Sequence, residues 1–486
     1  MTFPDEHARA QPPLAPPPQC PAHGGPPDGI TRLYGPEGDT DPLELYERLR
    51  ERHGAVAPVL LEGDLPAWLV LGYRENLEVV RTPTRFSRDS RHWSAAREGR
   101  LTADHPLAPV SAWQPICVFA DGQVHERWRG AVNDSLDRFD RRSLRRHITR
   151  AAHDLIDAFC TKGTGDLVHH FAEPLPMLVM TTLLGMPGEY GPRLVEAARD
   201  MVKGTKTSVA SNAYLEETLS RLVARKHVTP GMDLTSWLIE HPSGLSDQEV
   251  EHHLRLVLIM AFESTANLIA NTLKTVLTDP RFHAHLAGGH LTWPDAVEQV
   301  LWDEPPFMTI LGRWAAQDTE LAGQQIKAGD ALVIGLAAAN TDAVIRPDPM
   351  APIHGNRSHL AFSGGTHECP GQDIGRAIAE TGIETLLTRL PDLDITCEEA
   401  ELTWTSSLMV RHLDGLPVRF SRQPKQPAGT GRGAEPEAPF AEQDGAPRQS
   451  AAAPRQPAAA DPGPPAGAAL LVKSWWRSLV RWWRGL

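Results

Sequence analysis

The most constraining feature of the chain is residues 254–270 (LRLVLIMAFESTANLIA), a run that is apolar on nearly every side of a helical wheel. A helix of this kind has to be enclosed by other parts of the protein or by lipid. Arg255, Glu263 and Asn267 interrupt the run and make it a poor membrane span. Burying a carboxylate is costly, and buried carboxylates therefore often belong to functional sites. The run therefore predicts a buried central helix with a functional polar group.

Helical patterns dominate the region around this run, residues 30–420. Asp41 and Pro42, for example, precede apolar residues spaced two to four apart, which is typical of a helix start. Short alternating runs near Trp68 and Ala331 predict strands of a minor sheet. Because no evident linker divides the region, we expect one mainly helical α+β domain.

Both ends of the chain differ in composition from this region. Residues 1–29 are rich in Pro and Gly and predict a disordered leader, whereas residues 421–467, dense in Pro, Ala, Gly and Gln, predict a flexible linker. Residues 468–486 predict an amphipathic helix with basic side chains on one face and Trp on the other. Within it, residues 470–486 suit a peripheral membrane contact or a contact with a protein partner.

The composition excludes some classes of function. A formal net charge of -13 argues against nucleic-acid binding, because phosphate neutralisation needs clustered Lys and Arg. Five dispersed cysteines without a C-x-x-C pair indicate a reducing compartment rather than a disulfide framework. The N-terminal residues have neither the basic nor the apolar segment of a signal peptide, so we expect a cytoplasmic protein.

One cysteine has neighbours that favour a functional role. Cys369 lies in residues 361–372 (AFSGGTHECPGQ), where glycines on both sides let a flat or bulky group approach the backbone. The segment from Gln372 predicts a helix, and a sulfur at a helix N-terminus is favoured as the thiolate. These residues leave three interpretations open: a buried filler, a nucleophile paired with His367, and a metal ligand.

The pattern F-x-x-G-x-H-x-C-x-G around this cysteine resembles the haem-binding loop of the cytochrome P450 family. It is filled here by Phe362, Gly365, His367, Cys369 and Gly371. Most of the region up to residue 420 is similar to bacterial soluble members. The resemblance implies a mainly helical fold with a small sheet domain, and haem b (iron protoporphyrin IX) buried between the oxygen-binding helix and the Cys loop. It also implies that the Cys369 thiolate is the axial iron ligand.

The resemblance implies a set of partners for the two haem propionates. Buried carboxylates need cationic or hydrogen-bonding groups. The set implied here is His125, Arg129, Arg313 and His367.

Catalytic residues are implied on the central helix. Glu263 and Ser264 match the family's acid–alcohol pair, which relays protons to dioxygen, and Ser264 departs from the usual Thr. Ala261 matches the small residue that leaves room for dioxygen, and Thr265 is grouped with these residues. The alternative for the Ser264 hydroxyl is a bond to the carbonyl oxygen four residues earlier.

The chain departs from the family at a buried Glu-x-x-Arg pair. Gln299 and Trp302 occupy the two positions, and we expect them to contact each other through the indole N–H. The third partner of the pair is His354 or Arg357. An actinobacterial subset of the family also lacks the pair, and the resemblance favours that subset.

The resemblance implies a monooxygenase of secondary metabolism that oxidises, chiefly by hydroxylation, a small hydrophobic substrate. No G-x-G-x-x-G motif opens a helix, so we expect electrons to come from ferredoxin and ferredoxin reductase. The alternative is a catalytically weak haem-binding regulatory or scaffold protein that acts through its C-terminal helix. Glu263 and Ser264 favour the enzyme, because a scaffold needs no proton relay.

Overall fold

The computed structural model of the chain describes residues 29–35, 41–102, 105–187, 190–202, 208–279, 282, 292–348 and 355–426. Nearly all of the predicted leader and linker, and the whole predicted C-terminal helix, lie outside the described residues. Beyond residue 420, the backbone N–H groups of Ser421, Gln423 and Gln426 still donate hydrogen bonds to the body of the protein.

Helices make up most of the described structure, as the sequence predicts. In chain order they are α1 (Pro42–His53), α2 (Tyr73–Arg81), α3 (Ser94–Arg97), α4 (Ala108–Ser111), α5 (Gly122–Leu136), α6 (Arg141–Phe159), α7 (Pro174–Leu183), α8 (Gly191–Val202), α9 (Ser208–Val228), α10 (Leu234–Glu240), α11 (Asp247–Thr278), α12 (Trp293–Asp303), α13 (Leu336–Asn340) and α14 (Gln372–Arg389). The predicted start of the first helix is confirmed, because the Asp41 side chain accepts a hydrogen bond from the Leu43 N–H.

The strands are short and form small sheets. They are β1 (Thr31–Arg32), β2 (Val56–Leu61), β3 (Leu65–Val70), β4 (Phe86–Ser87), β5 (Thr164–Asp166), β6 (Ile310–Ala315), β7 (Thr319–Leu321), β8 (Gln324–Ile326), β9 (Ala331–Ile334), β10 (Asp394–Ile395), β11 (Trp404–Ser406), β12 (Arg411–Leu413) and β13 (Pro417–Arg419). The largest sheet has the order β1-β2-β3-β9-β6-β4, and β10-β13-β5 form a second one. Pairs β7-β8 and β11-β12 are two-stranded. The two predicted strands, β3 and β9, pair with each other in parallel.

The predicted central helix is α11. It begins with a capping box, in which Ser246 and Glu249 satisfy each other's backbone N–H groups. Its apolar side chains contribute to the largest core of the protein, and it packs against α7, α9, α12 and α14. Among the described residues it is the one helix long and apolar enough to cross a membrane, yet 67% of its most apolar stretch is buried inside the protein. Protein packing therefore accounts for its apolar surface.

Helix α14 carries the predicted cysteine loop to this core. It begins immediately after Gly371 and packs against α6, α11 and α12. The loop before α14 is thus held beside the central helix, with β6 contributing Arg313 from the largest sheet. This arrangement brings three distant parts of the sequence to one place.

Candidate haem site

The cysteine loop has a fixed backbone path. The Cys369 N–H donates to the Phe362 carbonyl at 3.0 Å, which closes the loop on itself. Gly365 has a φ of +68°, and a Cβ there would collide with the Val80 carbonyl oxygen, so only glycine fits. Gly371 is the N-cap of α14 and leaves open space where a side chain would stand. The loop glycines therefore serve both the tight turn and access to the sulfur.

The electrostatics of Cys369 differ in part from the sequence expectation. Burial raises the pKa of the thiol, and this effect outweighs the opposing influence of the Gly371 N–H and Arg129. The helix N-terminus alone therefore does not make the chain's own thiol a stable thiolate. A bound metal cation would supply the missing stabilisation, because a coordinating thiol is deprotonated.

Three of the four predicted propionate partners form one buried group. Arg313 is 2% exposed and His125 is 5% exposed. The imidazole rings of His125 and His367 lie 4.1 Å apart between centroids. Within the described residues, Arg313 Nε and Nη1 and both His Nε2 atoms have no hydrogen-bond partner. A buried guanidinium with unpaired donors requires an anionic partner, and the carboxylates of haem would supply one. These residues fit the implied group.

Burial also changes the titration of this group. Burial lowers the pKa of His125 to about 4, with Arg129 adding to the effect. It lowers the pKa of His367 to about 3, despite the carboxylate of Asp121 at 3.5 Å. The pKa of Arg313 is lowered well below its usual value by burial and by the nearby Arg88. A negatively charged ligand would reverse these shifts, because it favours the protonated forms.

Arg129, the fourth predicted partner, is placed differently. Its Nη2 donates to the Glu368 carbonyl oxygen of the cysteine loop, and its Nε donates to Asn133 Oδ1 at 2.7 Å. It therefore holds the backbone next to Cys369. Two further residues here, Arg88 and Asp121, could not be predicted from the sequence, because they come from separate segments without a motif. Arg88 donates to the Gly312 carbonyl oxygen at 2.7 Å, and Asp121 accepts from Ser87 and from the Arg88 backbone.

A stripe of partly exposed residues runs along the middle of α11. It recurs at the spacing of one helix face and consists of Leu256, Val257, Met260, Ala261 and Ser264. Met260 is 43% exposed, although most of α11 is buried. Ala261 and Ser264 both lie on this partly exposed face.

The side chains around this stripe differ in their surroundings. The Ser264 hydroxyl donates to the Met260 carbonyl oxygen at 2.7 Å, so the alternative bond considered for it is formed. Glu263 is buried and accepts from Asn267 Nδ2 at 3.1 Å. Burial raises the pKa of Glu263, against the influence of His412 and Asn267. Thr265 is buried and faces α14, on another side of the helix from Ser264.

The expected contact between Gln299 and Trp302 is not formed. Gln299 Nε2 donates to Asp303 Oδ2 at 2.7 Å, one helical turn further along α12. The Trp302 indole N–H donates to the Asn356 carbonyl oxygen at 2.8 Å. The indole instead finds a backbone acceptor in the segment that leads to the cysteine loop, because the ring lies fully buried against it.

A buried ion cluster lies at a neighbouring position that the motif does not include. Glu298 Oε1 accepts from Arg376 Nε at 2.6 Å, and Glu298 Oε2 lies 3.1 Å from His359 Nε2. Arg376 also stacks on the Phe362 ring, with its guanidinium carbon 4.4 Å from the ring centroid. Of the two candidates for the third partner, Arg357 lies 3.4 Å from Glu298, and His354 lies outside the described residues. Glu298 therefore connects α12, α14 and the cysteine loop.

Comparison with known proteins identifies the class. No protein-family model matches the chain. A solved structure of the myxobacterial cytochrome P450 CYP267B1 in complex with myristic acid matches with a TM-score of 0.70 and 28% identity, over 80% of this chain and 99% of that one. The described fold is thus that of the bacterial cytochromes P450.

Two curated relatives narrow the class. The cytochrome P450 monooxygenase PikC of Streptomyces venezuelae is 31% identical over 399 residues, which are 80% of this chain and 93% of the relative. The 2-hydroxy-5-methyl-1-naphthoate 7-hydroxylase of Streptomyces carzinostaticus is 29% identical over 398 residues, 79% of this chain and 96% of the relative. The chain belongs to the cytochrome P450 family. It is a haem-dependent monooxygenase of the bacterial type associated with secondary metabolism.

Proposed function

We propose that this protein binds haem b through Cys369 and hydroxylates a small hydrophobic organic substrate. One observation supports the proposal most directly. The buried Arg313 has two guanidinium nitrogens, Nε and Nη1, without a hydrogen-bond partner among the described residues, and the His125–His367 ring pair includes a residue of the cysteine loop. The naphthoate hydroxylase and the myristate-bound structure named above act on or bind largely apolar molecules. The partly exposed apolar stripe of α11 suits a ligand of that kind.

The residues of this chain have separate roles in the proposal. Cys369 would ligate the haem iron, and the bound group would supply the activation of dioxygen. Arg313, His125 and His367 would hold the propionates. Arg129 fixes the carbonyl of Glu368, and so the path of the backbone at the ligand.

Proton delivery is assigned to Glu263 and Ser264. The Glu263 carboxyl has a raised pKa, so it takes up a proton more readily than an ordinary glutamate. The Ser264 hydroxyl is anchored on the Met260 carbonyl oxygen, which leaves its lone pairs directed away from the helix backbone. To pass a proton into the cavity, the Ser264 hydroxyl would accept one from the carboxyl on a lone pair and release its own hydrogen from the Met260 carbonyl oxygen. Ala261 has a small side chain and so leaves space beside Ser264.

Replacing Ser264 by alanine is expected to uncouple turnover. In an assay reconstituted with ferredoxin and ferredoxin reductase, product formation should fall by on the order of 10²-fold, because a positioned proton donor contributes about that much. Reductant consumption should fall far less, and the difference should appear as hydrogen peroxide. The Ser264→Thr variant keeps the hydroxyl and should retain coupling. An unchanged ratio of product to peroxide in the alanine variant would remove Ser264 from the proposal.

The location and the electron donors are also proposed. We infer a cytoplasmic enzyme that receives electrons from ferredoxin, and that makes a peripheral membrane contact through residues 470–486, which lie outside the described residues. Four Trp and a basic face support the membrane contact. Full-length protein should co-sediment with anionic vesicles, whereas protein ending at Gln426 should stay in the supernatant. Equal sedimentation of the two would contradict the membrane contact.

A further inference from the structure

A chain of buried polar side chains leads from Glu263 to the far side of α11. Asn267 Nδ2 donates to Glu263 Oε1 at 3.1 Å, and His412 Nδ1 lies 2.6 Å from Asn267 Oδ1. On its other side, His412 Nε2 lies 3.6 Å from Glu173 Oε1. All four side chains belong to residues that are at most 7% exposed. The chain joins α11, strand β12 and the residue before α7.

The donors and acceptors in this chain depend on each other. An amide oxygen only accepts, so the contact of His412 with Asn267 requires a hydrogen on Nδ1. The amide nitrogen of Asn267 only donates, so Glu263 accepts through an oxygen lone pair. If Glu263 instead donated a proton to Asn267, the amide would have to turn over and offer its N–H to His412. The protonation of Glu263 and the hydrogen on His412 Nδ1 are therefore coupled through one amide.

Glu173 provides the charge on the other side of His412. The separation of 3.6 Å is too long for a hydrogen bond but suits an ion pair between imidazolium and carboxylate. Glu173 is itself contacted by His169 Nδ1 at 3.2 Å. It follows a π-helical turn at Val168–Ala172, an irregularity often found at functional sites. The sequence alone predicted a role for neither Glu173 nor His412.

The charged groups around His412 all favour its protonated form. Burial lowers the pKa of His412, but Glu173, Glu263 and Asp414 outweigh burial, and the net shift is upward. Glu173 lies before α7, Glu263 on α11 and Asp414 next to β12. A protonated imidazole between two buried carboxylates reduces the cost of holding either one ionised.

We propose that His412 is a positioning residue for Glu263: it orients the carboxyl through Asn267, and its positive charge, held by Glu173, favours the ionised form of that carboxyl. The proposal rests on the function proposed above and adds the group that controls its acid. The side-chain contacts of His412 are with Asn267 and Glu173. It acts by setting the pH at which Glu263 accepts a proton from solvent.

The test uses the C–O stretching frequency of the ferrous carbon-monoxide complex of the full-length protein as a function of pH. Carbon monoxide in the cavity senses the charge on Glu263 without any substrate. The native protein should show one titration midpoint, which Glu263→Gln abolishes. In His412→Gln the midpoint should move upward by about 1 to 3 pH units, the usual effect of losing a close opposite charge. His412→Lys keeps a positive charge and should return the midpoint toward the native value.

A matched control is available on α11 itself. His253 is as buried as His412, but its ring contacts the Cys117 N–H and the Glu249 carbonyl oxygen, not Glu263. His253→Gln should leave the midpoint in place. A midpoint in His412→Gln that matches the native one, or that moves equally in His253→Gln, would overturn the proposal.

A second measurement does not depend on haem. The changes in urea midpoint caused by His412→Gln and Glu263→Gln should be non-additive in the double variant at neutral pH, because the two groups interact. Additive changes would overturn the proposal. Non-additive changes in a protein whose carbonyl spectrum lacks a thiolate ligand would support the His412–Glu263 coupling and refute the haem assignment to Cys369. The two failures are thereby distinguished.

Discussion

Replacing Cys369 by alanine is expected to abolish the thiolate-type absorption band of the ferrous carbon-monoxide complex. Alanine offers no ligand, and the other cysteines of the described residues lie outside the loop, so nothing takes its place. Cys369→His retains a ligand of another type and should move the band to the position of a histidine-ligated haem. Both spectra are recorded on purified full-length protein reduced under carbon monoxide.

The matched control for this experiment is Cys397→Ala. Cys397 is partly exposed in the segment between β10 and β11, away from the loop. Its removal should leave the band unchanged, which shows that the loss is specific to the ligand. Retention of the thiolate band in Cys369→Ala would contradict the assignment of the axial ligand and, with it, the use of Arg313 and the two histidines as propionate partners.

Glu298→Gln is expected to lower the free energy of unfolding by about 3 to 5 kcal/mol, the usual result of leaving a buried charge without its partner. Glu298 is 4% exposed and Arg376 is 6% exposed, so neither reaches solvent when the other is removed. The measurement is urea denaturation, with the haem content of the purified variant determined alongside. Haem content should fall too, because Arg376 stacks on Phe362 of the cysteine loop.

Two further variants separate lost charge from lost packing. In Glu298→Leu with Arg376→Leu both charges leave together, and most of the lost stability should return. The exposed pair Arg141–Asp373 serves as the surface control, since Asp373 is also on α14. Asp373→Asn should change the free energy of unfolding by less than about 1 kcal/mol. Equal effects of Glu298→Gln and Asp373→Asn would mean that the buried cluster contributes nothing special.

The pH dependence of this cluster follows from the direction of one shift. Burial favours the protonated form of Glu298, but hydrogen bonds from His359 and Arg376 outweigh it and lower the pKa of the carboxyl. A carboxyl whose pKa is lower in the folded state contributes stability above its unfolded pKa and loses it as the pH falls through the folded value. The difference between native protein and Glu298→Gln should therefore shrink in acid.

The parts of the site that a local motif carries could be predicted from the sequence. The cysteine loop and the start of α14 are contiguous, so their spacing alone indicates the turn and the helix. Arg313 and the pair His125–His367 are distant in sequence, and only the family resemblance connected them. Their shared burial is visible only in the structure.

Other parts could not be predicted, for identifiable reasons. The Glu-x-x-Arg pattern directed attention to Gln299 and Trp302, whereas the buried charge is on Glu298, one residue earlier. A shift of one residue turns a helical side chain by about 100°, and the sequence does not say which neighbour faces α14. Arg88 and His412 lie on segments without a motif. Their partners are distant in sequence, so the spacing of residues along the chain does not indicate these contacts.

Trp302 gives the cysteine loop a second kind of attachment. Its indole N–H donates to a backbone carbonyl oxygen. The Asn340 amide donates to the Leu301 carbonyl oxygen and accepts from the Leu360 N–H. None of these hydrogen bonds involves a charged group. Acid that protonates Glu298 would weaken its ion pair with Arg376 and leave these neutral hydrogen bonds intact. The segment leading to the loop therefore has uncharged as well as ionic support, and its position should depend less on pH and salt than an ion pair alone would make it.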